Sequence, residues 1–170
     1  MHFAPALVVV LAAIPSAFSA DIFRTTGANC GGSRIGCKDI QENRCCRFSA
    51  GVRQVLYTLP ANSRGQAFSS AACSGSSFVF ANPRAGTVCR SFNSGRPILS
   101  ARWLQGLSSS ARIQSEPESQ DAVEPNFAEY TTKDGQDRNV TIPDGKVAEV
   151  VGWLDANNYE KLATLPDFKA

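Results

Sequence analysis

Histidine, the side chain most often used as a general base near neutral pH, occurs once in this sequence of 170 residues, at His2. It sits at the head of MHFAPALVVVLAAIPSAFSA, whose apolar stretch from Ala6 to Ile14 is broken by Pro15 and followed by small residues. That pattern predicts a secretory signal peptide over residues 1–19, cleaved near Ser19 or Ala20, and it is too short to act as a transmembrane anchor. Loss of the leader removes His2, which excludes Ser-His, Cys-His and paired-His mechanisms from the mature chain. Acid–base work would fall to carboxylates, as in a glycosidase. After Asp21, the cysteine-rich half offers only Asp39 and Glu42, three residues apart on a predicted loop, where turn and surface roles explain them better. The expectation is a protein that is not an enzyme, with a carboxylate-based hydrolase as an alternative.

The six cysteines are Cys30, Cys37, Cys45, Cys46, Cys73 and Cys89. An even number confined to one half of a secreted chain predicts three disulfides. Zinc is the competing use, but no histidine remains to share a site and the compartment is oxidising, so neither a metal nor another cofactor is expected.

Charge divides the chain. Residues 21–105 carry eleven Lys and Arg, ten of them Arg, against Asp21, Asp39 and Glu42, a balance of +8; residues 106–170 balance at −6, which reproduces the total of +2. Arginine binds phosphate and carboxylate through a planar fork of donors. The candidate binding residues are Arg44, Arg47, Arg53, Arg84, Arg90 and Arg102. Their expected partners are an anionic cell surface, a polysaccharide, or a host or competitor protein. Specific nucleic-acid recognition is not expected, because the basic half shows no aromatic-lined RNA motif and no reading helix. The bland reading, in which these arginines only solvate the surface, stands beside the binding one. A second alternative is a protease inhibitor, with Arg84 at the tip of the loop Asn82–Gly86.

The elements that position these residues are legible as a repeat. Cys30 precedes Cys46 by the interval that separates Cys73 from Cys89, Arg47 and Arg90 each follow the second cysteine, and Val55-Leu56 matches Ile98-Leu99, all at one offset of 43 residues. The β-prone runs VRQVLYTL, QAFSSA, SSFVF and ILSARWL are separated by Gly- and Ser-rich turns. They predict a mainly β protein in which two units of about four strands share one sandwich core.

The stretch FSSAACSGSSF, with Phe68, Cys73 and Gly75, resembles the aromatic-x4-aromatic-x-Gly signature of the βγ-crystallin Greek-key motif, with Cys73 in place of the second aromatic residue. Small disulfide-bonded antimicrobial and killer-toxin-like members of that superfamily carry CSG, a strand and then a cysteine in similar fashion. The resemblance covers residues 22–105. It implies a two-unit Greek-key β-sandwich stapled by disulfides, with an antimicrobial, toxin or effector-like role. The calcium pattern of the calcium-binding members is missing, so no calcium site is expected. Equivalence of the two units would pair Cys30 with Cys46 and Cys73 with Cys89. Cys37–Cys45 is then left by elimination, one of fifteen arrangements that six cysteines allow.

Beyond the 20–105 module, residues 106–125 are rich in Ser, Glu and Pro and read as an acidic linker. Within 126–170, FAEYTT, QDRNVTI and KVAEVVGWL are separated by KDG and PDG, which predicts a small β-meander. The third run also fits a helix, through Val147, Val150, Val151 and Leu154, although its β-branched content favours a strand. Asn157 to Glu160 resembles a capping box that opens a short C-terminal helix. Asn139, in NVT, is a candidate for glycosylation.

Overall fold

The computed structural model describes residues 18–75, 77–92, 95–107 and 120–169, so that the expected signal peptide, apart from its last two positions, and residues 108–119 of the expected linker lie outside the described residues. The described chain is mainly β. Its strands are β1 (Ser19–Thr25), β2 (Arg34–Gln41), β3 (Arg44–Val52), β4 (Gln54–Leu59), β5 (Ser63–Phe68), β6 (Ser77–Asn82), β7 (Gly86–Ser91), β8 (Ile98–Gln105), β9 (Gln120–Val123), β10 (Phe127–Thr131) and β11 (Asp137–Thr141). Two helices follow, α1 (Val147–Asp155) and α2 (Tyr159–Leu162).

The strands form two sheets, ordered β11-β10-β2-β1-β4-β7 and β6-β5-β8-β3-β9. Alternation along each strand sends Ile22, Cys37, Val55 and Tyr57 of the first sheet and Cys46, Ala67, Ala101 and Trp103 of the second into one shared core. Trp103 is fully buried, and its indole N–H donates to the Ile40 carbonyl at 2.9 Å. The first eight strands follow one pattern twice. In β2-β1-β4-β7, and again in β6-β5-β8-β3, the second, first and fourth strands of one four-strand unit are flanked by the third strand of the other. The backbone keeps the offset of 43 residues: Cys30 and Cys73 have φ of 57° and 49°, and Gly32 and Gly75 have 73° and 76°. Each unit therefore folds its first hairpin over through a left-handed turn in which glycine carries no Cβ penalty.

That exchange of third strands corrects the expected disulfides. All six cysteines are bonded, but as Cys30–Cys89, Cys37–Cys46 and Cys45–Cys73. The third strand of each unit lies in the opposite sheet from its own hairpin, so the cysteine of a hairpin meets the third strand of the other unit. Cys30 reaches Cys89 on β7, and Cys73 reaches Cys45 on β3. Adjacent residues on a strand face opposite ways, which turns Cys45 outward toward Phe68 and Cys73 and Cys46 inward toward Cys37.

The second half is not a separate meander behind a linker. Strand β10 pairs with β2, with Phe127 opposite Gly36, and extends the first sheet. The end of the expected linker forms β9, which runs parallel to β3 at the edge of the second sheet. The run predicted as a third strand is α1. It buries Val147, Val150, Val151 and Leu154 on one face, so the helical period prevailed over β-branched content. These side chains pack with Leu162 of α2 on Ile35, Ala128, Tyr130 and Val140 of the first sheet. Ile35 and Cys37 share a face of β2, so the helices lie beside the second sheet and continue its layer. The short helix expected near Asn157 is α2, capped by Asn158, whose side chain accepts from the Lys161 N–H.

Candidate anion-binding surface

From Asn43 to Ser115 the sequence contains no Asp or Glu. This run supplies β3 to β8, so these six strands, β4 and β7 of the first sheet and β6, β5, β8 and β3 of the second, are free of acid. The four arginines Arg53, Arg84, Arg90 and Arg96 follow the course of β7, the edge of the first sheet. Arg84 precedes that strand in its connection from β6. Arg90 lies within the strand and opposite Val55. Arg53 sits in the β3–β4 turn, where its carbonyl accepts from the Phe92 N–H at 2.8 Å just beyond β7. Arg96 belongs to the β7–β8 connection. Arg53, Arg84 and Arg96 are exposed and Arg90 is half-buried. Among the described residues none of the four has a carboxylate within ion-pair distance.

Aromatic packing holds this edge in place. Phe80 of β6 lies across Gly65, where a Cβ would stand 2.3 Å from its ring. It meets Tyr57 edge-on at a centroid distance of 5.0 Å and carries the Arg90 guanidinium 4.5 Å above its centroid. Cation–π contact of this kind is worth roughly 0.5–1 kcal/mol at a partly exposed site, and it fixes the plane of the guanidinium without neutralising it. Beneath it Tyr57 donates to the Gln66 carbonyl at 3.0 Å. Burial pushes its hydroxyl well above the ordinary phenol range, with Arg90 pulling the other way. The phenol is thus neutral at any physiological pH, and the charge at this edge is that of the arginines.

The remaining candidates lie elsewhere. Arg102 is buried, a correction to its expected role: its Nε donates to Gln66 Oε1 at 2.6 Å, its Nη1 to Asn43 Oδ1 at 2.8 Å, and it lies over Phe68. Arg47 is exposed but pairs with Glu124 at 2.6 Å. Arg44 lines a groove of about 360 Å³ together with Lys38, Asp39 and Glu124, where acid already offsets base. Only Arg53, Arg84 and Arg90 of the six share the acid-free edge. Arg96 was missed, and the length of the acid-free run was the signal that could have found it.

The carboxylates near the cysteines have structural partners. Asp21 Oδ1 accepts from the Asp39 N–H at 3.0 Å, and Glu42 Oε1 accepts from the Gln105 N–H at 2.8 Å. In the Asn82–Gly86 loop, Asn82 donates its side-chain amide to the carbonyls of Pro60 and Arg84, at 3.1 and 2.8 Å. Asn139 is exposed on β11, with Thr141 of its acceptor triplet half-buried.

The model of the ARB_05566_N family, an N-terminal domain, matches residues 21–134. The chain belongs to that family. The matched stretch runs from within β1 through β10, takes in all three disulfides, and ends in the turn before β11. No curated protein and no solved structure matches the chain.

Proposed function

We propose that this ARB_05566_N domain is a secreted, non-enzymatic, antimicrobial, toxin or effector-like module that binds anionic cell-surface or wall components through the β7 edge. The observation that carries the reading is the set of four arginines, Arg90 on β7 and Arg53, Arg84 and Arg96 in the connections around it, within a run of sequence that contains no acid. Unpaired guanidinium groups on a rigid edge keep both their charge and their fork of donors for an outside phosphate or carboxylate. Export is supported by the leader-like N-terminus and by three disulfides in a small domain. Among the described residues no helix is long and apolar enough to cross a membrane.

The Greek-key assignment and the βγ-crystallin likeness belong to the same proposal. They are supported by the paired strand orders with exchanged third strands, and by the left-handed Gly75 in the CSG turn. The inhibitor alternative is less well supported, because the Arg84 carbonyl, the group that a protease would have to engage, is held by Asn82. Co-sedimentation of the mature chain with vesicles of phosphatidylglycerol, with vesicles of phosphatidylcholine, and with insoluble acidic polysaccharide tests the reading. Retention by the two anionic materials and not by phosphatidylcholine is expected; equal retention by all three, or by none, retires it.

A further inference from the structure

We propose that Asn139 carries an N-linked glycan, which stands on the outer face of the first sheet at the end remote from the β7 arginines. Of the asparagines in the sequence, only Asn139 precedes a serine or threonine by two positions, in Asn139-Val140-Thr141, with no proline between them. The tripeptide is a frequent pattern, and the structure supplies what distinguishes this one. Every other described asparagine has a structural duty. Asn43, Asn82, Asn126, Asn157 and Asn158 form hydrogen bonds through their side chains. Asn29 and Asn62 hold left-handed backbone, at φ 55° and 54°, a conformation that asparagine tolerates better than most residues. Asn139 does neither. It occupies the middle of β11, where asparagine is disfavoured, and among the described residues its side-chain amide makes no hydrogen bond. The fold gives no reason for an asparagine here, whereas modification of the amide does.

The surroundings accommodate a bulky polar group. Alternation along β11 sends Val140 inward, where it is fully buried against α1 and α2, and turns Asn139 outward into solvent. Opposite Asn139 on β10, Glu129 is engaged with Arg34 at 3.4 Å. The Asn139 carbonyl accepts from the Phe168 N–H, a backbone contact that leaves Nδ2 out. A sugar on that nitrogen displaces no contact of the fold. Strands β11 and β7 are the two ends of the six-stranded sheet, five strand spacings or about 24 Å apart, so the glycan stands away from the arginines. The proposal rests on the export part of the functional reading and not on its binding edge. The donor is an oligosaccharide carried on a lipid diphosphate, and transfer to the entering chain precedes strand pairing. Asn139 Nδ2 bonds to the anomeric carbon of the first sugar and gives up one proton. The bond from that carbon to the diphosphate oxygen breaks, and the lipid diphosphate leaves with its electron pair.

Secretion from yeast tests the proposal, with the mature chain behind the host's own leader and, in parallel, the full chain with its residues 1–19. Peptide mass mapping of the product in the medium should find a glycan on Asn139, which peptide N-glycosidase removes to leave aspartate there. Asn139→Gln should migrate with the enzyme-treated native chain and share its folding midpoint, because the amide holds nothing in place. A host-leader product with unmodified Asn139 would overturn the proposal. So would an Asn139→Gln chain that melts well below the enzyme-treated native chain, since the residue would then have a structural duty after all. If the full chain stays in the cell while the host-leader product is glycosylated, the glycan stands and export by residues 1–19 fails.

Discussion

Asp155→Ala isolates the contact that ties the C-terminal helices to the disulfide-bonded strands. Arg24 Nη2 stands 2.8 Å from Asp155 Oδ1, with the arginine side chain 9% exposed and the aspartate 55%. Arg24 Nε is buried without a partner, so removal of the carboxylate leaves a guanidinium that water reaches poorly. Breaking a fully buried pair costs about 3–5 kcal/mol, whereas exposed pairs are worth about 1 kcal/mol or less. One partner here is buried and the other half in solvent, which places the loss near 2 kcal/mol. For a guanidinium chloride m-value of roughly 4 kcal/mol/M, the midpoint should fall by about 0.5 M in a single transition read by tryptophan fluorescence and circular dichroism. Asp167→Ala provides the comparison, since its partner Arg138 is already 35% exposed, and should cost under about 1 kcal/mol. Equal shifts for the two variants would refute the reasoning. So would a second transition that Asp155→Ala alone displaces, because the helices would then unfold apart from the sheets.

Cys45→Ser and Cys73→Ser should each cost about 2–4 kcal/mol, and the double variant should be no worse than either, because they are two ends of one bridge; Cys73→Ser with Cys89→Ser should be additive in denaturant melts. Gly36→Ala should prevent accumulation of folded protein, since a Cβ there would stand 2.0 Å from the Ile22 carbonyl oxygen; Gly152→Ala, in α1 with open space around it, should raise stability by about 0.5–1 kcal/mol. The raised pKa of Tyr57 means that above pH 10, where an unfolded phenol ionises, only the unfolded chain loses the proton. Stability is therefore full below about pH 10 and falls above it by about 1.4 kcal/mol per pH unit. Tyr57→Phe should cost about 1 kcal/mol at neutral pH and flatten that alkaline decline in denaturant midpoints measured from pH 9 to 11.

Local signals were readable wherever alternation or turn chemistry was strong. The runs around Val55, Ala67, Phe80 and Ala101 became β4, β5, β6 and β8, and the KDG turn, with Gly135 at φ 81°, joins β10 to β11. The offset of 43 residues was also readable, but not its consequence. An internal repeat says which residues are equivalent and not which unit supplies a neighbour, so exchange of β3 and β7 reassigned every disulfide. VAEVV was ambiguous because its valines suit both periods, and packing on Tyr130 and Val140 decided for the helix. Among the arginines, type and count gave no means to separate Arg102, spent on Gln66 and Asn43, from Arg53, left in solvent. That distinction is tertiary: alternation turns Arg102 to the outer face of the second sheet, where it lies over Phe68 and is buried.

The salt dependence of binding to phosphatidylglycerol vesicles, compared between the native mature chain and the variant Arg53→Gln/Arg84→Gln/Arg96→Gln, tests the binding edge most directly. These three side chains are exposed and, among the described residues, make no ion pair, so the variant should keep its folding midpoint. If the β7 edge is the binding surface, affinity at low salt falls at least about tenfold in the variant, and its dependence on salt becomes shallower because fewer charges remain to be screened. Arg138→Gln, on β11 and already paired with Asp167, should leave both unchanged. A triple variant that binds as tightly as the native chain, with the same salt slope, would contradict the account.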